Sequence, residues 1–424
     1  MIQQFLFRAR HAAAFGVLLT VTAHDVGAQL PVTRAEAERA ALATGARVAL
    51  ARADSAAARA MLVTARAFPN PTFGATRSVA PPTSHLTLDL PFDAPWTRGP
   101  RIGAANAAGR VARLRFLSER VGTLLEVDTT YTRALAAQAR VRLSRQTARD
   151  ADSLRKMTVS RREAGDASDL DVDLATVTAG QQLNVASADS LTYMSLLLTV
   201  QTLMGIPADS VAIVLADSLT LSAASAAAPA AVKSDSGMVF FGTSMLSTIP
   251  RVAAAEAFVQ AAELVVTREH RSVWGVPSLQ VGVEWGDPAN EPKNKALPLI
   301  GISLPLPILN RNQGPIAQAV AERDRARAEL SVARLEARQR LVEGFRKRTS
   351  LHVQVARDQD LVVRAERVAA KSLTAYREGA SALPAVLEAR RIAREVLGQY
   401  IDDLTALLTV EAELRALTQT VLPQ

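Results

Sequence analysis

Apolar side chains recur at every second position in a short segment near residue 90, which is the pattern of a half-exposed β-strand. Leu86, Leu88 and Leu90 alternate with polar residues, so one face of the strand is apolar and the other is polar. A turn rich in proline and serine separates this segment from an earlier one around Phe73. The pattern predicts a strand pair at about residues 71–92.

The same alternation returns in the second half of the chain. Val281 and Val283 belong to one alternating segment and Ile300 and Ile302 to the next, with a polar loop between the two segments. These segments predict a second strand pair at about residues 278–308.

The placement of proline and glycine predicts a long helical hairpin after the first strand pair. No proline occurs from Arg101 to Ile206, and Pro100 suits the first position of a helix, where its missing N–H has no partner to lose. We expect one helix from Pro100 to about Arg162, followed by a return helix that completes a hairpin at residues 100–205.

A second hairpin is predicted after the second strand pair. A helix that begins at Pro315 carries Leu330, Leu341 and Phe345 at spacings that line one face. A return helix completes this hairpin at residues 315–418.

The chain therefore contains nearly the same layout twice, with a shorter helix before each strand pair, at Thr33–Arg66 and Arg251–Arg271. The spacing from Pro100 to Arg162 equals that from Pro315 to Arg377. A duplicated structural unit explains this agreement.

The duplication predicts the organisation of the chain into a first repeat at residues 29–207 and a second repeat at residues 248–424. A connector rich in serine, alanine and proline, at residues 208–247, separates them.

The N-terminus has the pattern of a secretory signal peptide. Arg8 and Arg10 precede an apolar stretch that is too short to span a bilayer, and Val26-Gly27-Ala28 supplies the small residues of a cleavage site. We expect residues 1–28 to be removed from an exported protein; a buried N-terminal helix is the alternative. The chain contains no cysteine, which excludes disulfides and thiolate metal sites.

Composition and charge narrow the class of protein. Hydrophobic residues make up 49% of the chain but aromatic residues only 4%, which suits long packed helices better than compact cores. The net charge of +8 is spread along helices among acidic residues. Because a basic block with interleaved aromatic residues is missing, no nucleic-acid partner is expected.

The sequence carries no motif of an enzyme. Its five histidines are scattered, and it contains no nucleotide-binding loop, nucleophile elbow or zinc-protease motif. The protein is therefore predicted not to be an enzyme, with no catalytic residue, cofactor or metal site.

Alternating strands in an exported chain without a membrane helix predict part of a transmembrane barrel wall, with lipid on the apolar face and water on the polar face. Four strands cannot close a barrel alone, so copies must combine. Three copies of four strands would give twelve, an even number within the known range. Taken singly, each strand also fits a soluble half-buried hairpin.

Three motifs carry a family resemblance: the stretch from Gly301 to Ala317, GISLPLPILNRNQGPIA, then Pro69-Asn70-Pro71, and the pattern from Tyr376 to Ser381. On these residues, the chain resembles the TolC-type outer membrane efflux proteins along essentially its whole mature length. The first of the three motifs is the most specific. Within the long stretch, the segment NRNQG from Asn310 to Gly314 is similar to that of the branch that serves metal-exporting and related tripartite pumps.

The resemblance implies a fold class that is mainly α with a small β part. Duplicated long helical hairpins would form a periplasmic tunnel, and four strands per chain would complete a twelve-stranded barrel in the outer membrane of a homotrimer. The tips of the hairpins would dock on a periplasmic adaptor protein, which connects the channel to an inner membrane pump. The channel itself would be a passive duct.

Carried onto this chain, the resemblance places the adaptor-docking tips at the two hairpin turns. The residues concerned are Arg162, Gly165, Ser168, Arg377, Gly379 and Ser381. An ordinary helical turn without a partner predicts the two glycines equally well, because a helix reversal often needs a positive φ.

Some members of this family close the periplasmic end with carboxylates on the second hairpin, whereas this chain concentrates its acidic residues in the first tip. The candidate gate residues are Asp166, Asp169, Asp171 and Glu378. An acidic ring repeated by threefold symmetry would favour cations. The alternative is that Asp166 and Ser168 cap the return helix.

The function predicted first is the outer membrane channel of a tripartite efflux system for small molecules or metal ions. One alternative keeps the channel but assigns it to type I protein secretion. Another is a periplasmic coiled-coil scaffold, which accounts for the helices but not for two alternating strand pairs.

Overall fold

The structure is a computed structural model that describes residues 30–209, 212–220, 243–287 and 295–418. The predicted signal peptide at residues 1–28 lies outside the described residues, as does much of the predicted connector.

The described chain consists of long helices and short strands. The helices are α1 (Arg34–Thr44), α2 (Ala46–Arg66), α3 (Pro95–Glu163), α4 (Asp169–Leu203), α5 (Thr243–Ser247), α6 (Pro250–Arg271), α7 (Gln313–Arg377) and α8 (Leu383–Thr418), with a 3-10 turn at Ser272–Trp274. The strands are β1 (Leu30–Val32), β2 (Thr72–Arg77), β3 (Ser84–Pro91), β4 (Ile213–Leu215), β5 (Ser278–Trp285) and β6 (Leu297–Ser303).

The fold is mainly α with a small β part, which confirms the predicted fold class. Two long hairpins dominate it, one formed by α3 with α4 and the other by α7 with α8. The longest helix, α3, has 69 residues and therefore extends for about 100 Å. Among the described residues, no helix is both long and apolar enough to cross a membrane.

The long helix α3 changes its packing partners along its length. In its first half it contacts α2 and α6, where Ala107 and Val111 pack against Ala261. In its second half it contacts α4 and α8, and Leu154 lies in a cluster with Val386. The other long helix, α7, likewise contacts α6 and α8. Many of the buried positions are alanine, and such small side chains let helix axes approach closely.

The larger sheet joins the strand pairs of both repeats. Its order is β2-β3-β5-β6, and all neighbouring strands are antiparallel. The register places Phe73, Leu88, Val281 and Ile300 side by side, and the alternate rows on that face are mostly apolar as well. β2 and β6 each pair on one side only within the described residues.

In a soluble protein the polar face of a sheet is the more exposed one, whereas in this sheet the apolar face is more exposed. On the apolar face, Leu88 and Val283 of the central strands are 36% and 38% exposed, and Ile300 and Ile302 of the edge strand β6 are 75% and 82% exposed. On the polar face, the side chains of His85 and Glu284 are only 27% and 28% exposed. The sheet therefore presents its apolar side chains outward and its polar ones to the more enclosed side.

Both long helices begin earlier than predicted. α3 starts at Pro95 rather than at Pro100, because Pro95 itself suits the first position and Pro100 follows within the helix at the loss of one hydrogen bond. α7 starts at Gln313 rather than at Pro315, after Asn312 in the left-handed conformation with a φ of 61°.

Two further bounds differ from the prediction. The helix expected at Thr33–Arg66 is broken at Gly45, where a Cβ would lie only 2.2 Å from the carbonyl oxygen of Ala41, so the close approach to the end of α1 requires glycine. The strand expected to continue to about residue 308 ends at Ser303, because the prolines that follow cannot donate to a ladder.

A compact region near the middle of the long helices contains two short strands that were not predicted. Here β1 and β4 pair in parallel, and their side chains form a core with α1, α3 and the end of α4. Tyr131 of α3 is fully buried in this core, and its hydroxyl donates to the carbonyl oxygen of Val32 at 2.8 Å and lies 2.9 Å from Asp217. Burial, followed by the bond to Asp217, raises the pKa of Tyr131.

Replacing Tyr131 with phenylalanine is expected to destabilise this region. The change removes the hydrogen bond of a buried hydroxyl, which costs about 0.5–1.5 kcal/mol of unfolding free energy. The cost is no larger because the carbonyl of Val32 and the carboxylate of Asp217 keep the N–H donors of Ala216 and Arg34. The thermal unfolding midpoint of the purified protein measures the effect. Tyr193→Phe is the control, because that hydroxyl is only half-buried and accepts from the amide of Gln138 at 3.3 Å. Equal midpoints for the two variants would contradict the assignment.

Candidate functional site at the hairpin tips

The first hairpin reverses through a compact turn centred on Gly165. The φ of Gly165 is +87°, which disfavours any residue with a Cβ. The N–H of Asp166 donates to the carbonyl of Arg161 at 2.7 Å, and that of Gly165 donates to Arg162 at 3.0 Å. This pair of bonds is a Schellman motif, which satisfies the last carbonyls of α3.

The second hairpin reverses in the same way at Gly379, whose φ is +76°. The N–H of Ala380 donates to Ala375 at 2.8 Å, and that of Gly379 donates to Tyr376 at 3.1 Å. The two tips therefore have the same backbone form although their sequences differ.

Two of the acidic residues of the first tip already bind partners within that tip. Ser168 is the N-cap of α4 and forms a capping box with Asp171, while Asp169 pairs with Arg162 at 2.7 Å. Ser168 is thus the capping residue, and Asp166 contributes only its backbone N–H to the turn.

The remaining predicted tip residues lie at the surface. Asp166, Arg377 and Glu378 are exposed, and Ser381 is half-buried. Within the described residues, Asp166 and Glu378 form no ion pair. They are therefore the two candidate gate carboxylates that remain open to a partner.

The two tips are fastened to each other by Tyr376, one turn before Gly379. Its buried hydroxyl lies 3.2 Å from the hydroxyl of Thr158 on α3. Arg161 lies over its ring at 4.7 Å and donates to its carbonyl oxygen at 2.5 Å. We call Thr158, Arg161 and Tyr376 the tip clasp, because these residues join the two hairpins at their ends.

A small core supports the tip clasp. Leu154 and Ala175 of the first hairpin pack with Leu383 and Val386 of the second around Tyr376. The tips consequently form a single packed unit.

Sequence reasoning missed the tip clasp. Tyr376 belongs to the tip pattern of the resemblance, but neither Thr158 nor Arg161 has any local signal that connects it with a residue more than two hundred positions away. The arginine that was predicted at this tip, as a docking residue, is Arg162, and it pairs with Asp169 within its own hairpin.

Polar contacts continue between the hairpins above the tips. Arg394 donates to Gln182 at 2.5 Å, and Arg140 pairs with Asp402. The two hairpins are therefore joined by polar contacts at more than one level.

Two carboxylates face each other within the second hairpin. Asp358 of α7 is buried, its Oδ2 has no hydrogen-bond partner among the described residues, and Asp403 lies opposite on α8. Burial, followed by the interaction with the carboxyl group of Asp403, raises the pKa of Asp358.

Known proteins resemble this chain in structure but not in sequence. No protein-family model and no curated protein sequence matches the chain. Solved structures do match: CusC, described in terms of transmembrane channel formation, is 16% identical with a TM-score of 0.73 over 94% of this chain and 95% of CusC.

Two further structures give the same result. The outer membrane protein VceC from Vibrio cholerae is 14% identical with a TM-score of 0.71, over 91% of this chain and 96% of VceC. The outer membrane channel MtrE of Neisseria gonorrhoeae, in its open state, is 14% identical with a TM-score of 0.70, over 92% of this chain and 89% of MtrE. The chain thus has the fold of outer membrane channel proteins.

The carboxylate pair predicts a specific dependence of stability on pH. A raised folded-state pKa means that Asp358 favours the folded protein at acid pH and that this contribution is lost as the pH rises from its ordinary value of 3.8 through the raised value. The thermal unfolding midpoint should therefore fall over this range, and Asp358→Asn should reduce the fall and raise the midpoint at neutral pH.

Asp360→Asn serves as the matched control, because Asp360 is an exposed carboxylate on the same helix. The interpretation fails if both variants show the pH profile of the original protein.

Proposed function

We propose that the protein is a passive trimeric duct in the outer membrane, which receives solutes from a periplasmic adaptor and an inner membrane pump. The observation that carries this proposal is the inverted sheet: its apolar side chains are more exposed than its polar ones. Such a sheet fits a barrel wall with lipid outside and water inside.

The open edges of the sheet support a closed assembly of copies. β2 and β6 each have an unpaired side in the described chain, and unpaired backbone groups are costly in lipid. Pairing of β6 with β2 of the next copy satisfies both edges. Three copies of this four-stranded sheet close a barrel of ordinary size.

The charges along the helices suit a duct with little preference for the sign of its cargo. A long groove lined by α2, α3, α6, α7 and α8 carries six basic and six acidic side chains. The basic ones are Arg47, Arg115, Arg251, Arg325, Arg340 and Lys347, and the acidic ones are Asp54, Glu119, Glu322, Glu329, Glu343 and Glu413. In the assembly this groove forms part of the tunnel wall, and the pump selects the small molecule or metal ion.

The tips have two roles in this proposal. Their exposed surface, around Arg162, Arg377 and Ser381, docks on the adaptor. The tip clasp keeps the hairpins together in the closed state, and Asp166 and Glu378 line the entrance.

The first test is the location and conductance of the protein. We expect trimers in the outer membrane fraction that produce small, mostly closed conductances in planar bilayers. A soluble monomer without conductance would favour the periplasmic scaffold instead.

Loss of the tip clasp is expected to open the channel. Arg161→Ala removes the contact with the ring and carbonyl of Tyr376, and Tyr376→Phe removes only the bond to Thr158. Because one such bond contributes about 0.5–1.5 kcal/mol, Tyr376→Phe should raise the open probability up to about tenfold, and Arg161→Ala should raise it further. Single-channel recording measures both variants.

Arg155→Ala is the matched control for these recordings. Arg155 lies on the same helix, but its ion pair with Asp152 stays within α3. An equal increase for Arg155→Ala would show that the clasp is not the gate.

Docking is tested separately at the exposed surface of the tips. Ser381→Arg should abolish export in cells while trimers and basal conductance are retained, because a long charged side chain obstructs the contact with the adaptor. Arg346→Gln, at an exposed position on α7 away from the tip, should leave export unchanged. Normal export by Ser381→Arg would exclude the tip as the docking surface.

A further inference from the structure

A belt of exposed apolar side chains surrounds the helix-side end of the sheet. We call it the collar, and it occupies every segment in which the chain passes between sheet and helices. Its members are Phe68, Phe92, Trp96, Trp274, Leu304, Leu306, Ile308 and Leu309. The exposures range from 43% for Trp96 to 92% for Leu309, so the described chain leaves the collar uncovered.

Direct contacts make the collar continuous. The N–H of Phe92 donates to the carbonyl of Pro277 at 2.7 Å, which joins the first repeat to the second. Gly275 approaches Pro305 so closely that a Cβ would lie 3.0 Å from its side chain. The guanidinium of Arg98 lies 3.9 Å from the centre of the Phe68 ring.

The acidic residues beside the collar are neutralised by their own partners. Asp93 accepts from Arg98 at 2.6 Å and from Arg101 at 2.8 Å. Glu269 pairs with Arg268 at 2.6 Å and accepts from the side-chain amide of Asn312 at 3.1 Å.

Three basic residues at the same level have no such partner. Arg66 ends α2, Arg271 ends α6, and Arg311 lies just before α7. All three are exposed, and none forms an ion pair within the described residues. The collar therefore carries a ring of free positive charge on its helix side.

We infer that the collar binds the headgroup layer of anionic phospholipids, with Arg66, Arg271 and Arg311 at the lipid phosphates. The inference rests on the proposed function and adds the lipid class and the leaflet. Aromatic residues favour the boundary between acyl chains and headgroups, and basic residues favour an anionic surface. Because the long helices leave the sheet at this end, the leaflet is the one that faces the periplasm.

A lipid layer fits this surface better than a protein partner. The collar includes all four crossings between sheet and helices, so it follows the full width of the four-stranded sheet. A protein would bind one patch and leave the others exposed, whereas lipid covers the entire belt. The combination of an apolar belt with a free basic ring matches the two layers of a phospholipid monolayer.

The experiment uses the tryptophans of the collar as probes of their own surroundings. Trp285, at the other end of β5, is replaced by phenylalanine, which leaves Trp96 and Trp274. The full-length trimer is placed in nanodiscs that contain phosphatidylglycerol or phosphatidylcholine, brominated either near the headgroup or deep in the acyl chain. Quenching of tryptophan fluorescence reports both depth and lipid preference.

We expect the headgroup-proximal bromines to quench most strongly, with phosphatidylglycerol preferred by about fivefold, the order of effect of one basic side chain at an anionic surface. The triple variant Arg66→Gln, Arg271→Gln, Arg311→Gln should lose this preference and retain the depth. The control triple variant Arg346→Gln, Arg364→Gln, Arg367→Gln removes the same charge from exposed positions on α7 and should retain both.

The other outcomes separate this inference from the proposed function. Inserted trimers with equal quenching by both lipids, or with strongest quenching by the deep bromines, would overturn the inference and leave the duct intact. If the control triple variant also loses the preference for phosphatidylglycerol, that preference depends on the net charge of the protein and the inference is overturned as well. A protein that inserts into no lipid would overturn the inference and the proposed function together.

Discussion

A helix of about 100 Å cannot be stabilised from its ends, so each turn of α3 and α7 must find a lateral partner. This constraint explains the rest of the fold. The shorter helices α2 and α6 cover one half of the long pair, and α4 and α8 cover the other. Where one set of partners ends and the next begins, a separate core forms around Tyr131 with β1, α1 and β4. Buried alanines along the helices permit the close packing that this arrangement needs.

The two repeats stabilise the junction between sheet and helices with different side chains. Where the sheet meets the helices in the first repeat, Arg98 and Arg101 donate to the last carbonyls of α2 while Asp93 holds both guanidinium groups. In the second repeat, the amide of Asn312 donates to the carbonyl of Glu269 and to the hydroxyl of Ser272. Each solution satisfies the end of a helix and fixes the direction in which the long helix leaves the sheet. The two repeats thus share a backbone arrangement because the carbonyls at the helix end find hydrogen-bond donors in both, although the donor residues differ.

Most of the architecture could be predicted from the sequence because its signals are local and periodic. Alternation revealed the strand pairs, and Gly165 and Gly379 marked the hairpin turns. The starts of the long helices were placed too late, since Pro95 and Pro100 both suit an early position and only packing chooses between them. The strands β1 and β4 are three residues each, too short for a period to be seen. The tip clasp required the fold itself, because Thr158 and Tyr376 meet only through tertiary packing.

The pairing of β3 with β5 has a consequence for how the protein is made. One chain can complete its helices and join its two strand pairs by itself, but β2 and β6 then remain as adhesive edges beside an apolar surface. In the proposed assembly, a chain that has not yet met other copies can pair through these edges with any extended polypeptide nearby. Assembly therefore competes in time with aggregation, and the outcome depends on how soon the edges of β2 and β6 meet those of other copies.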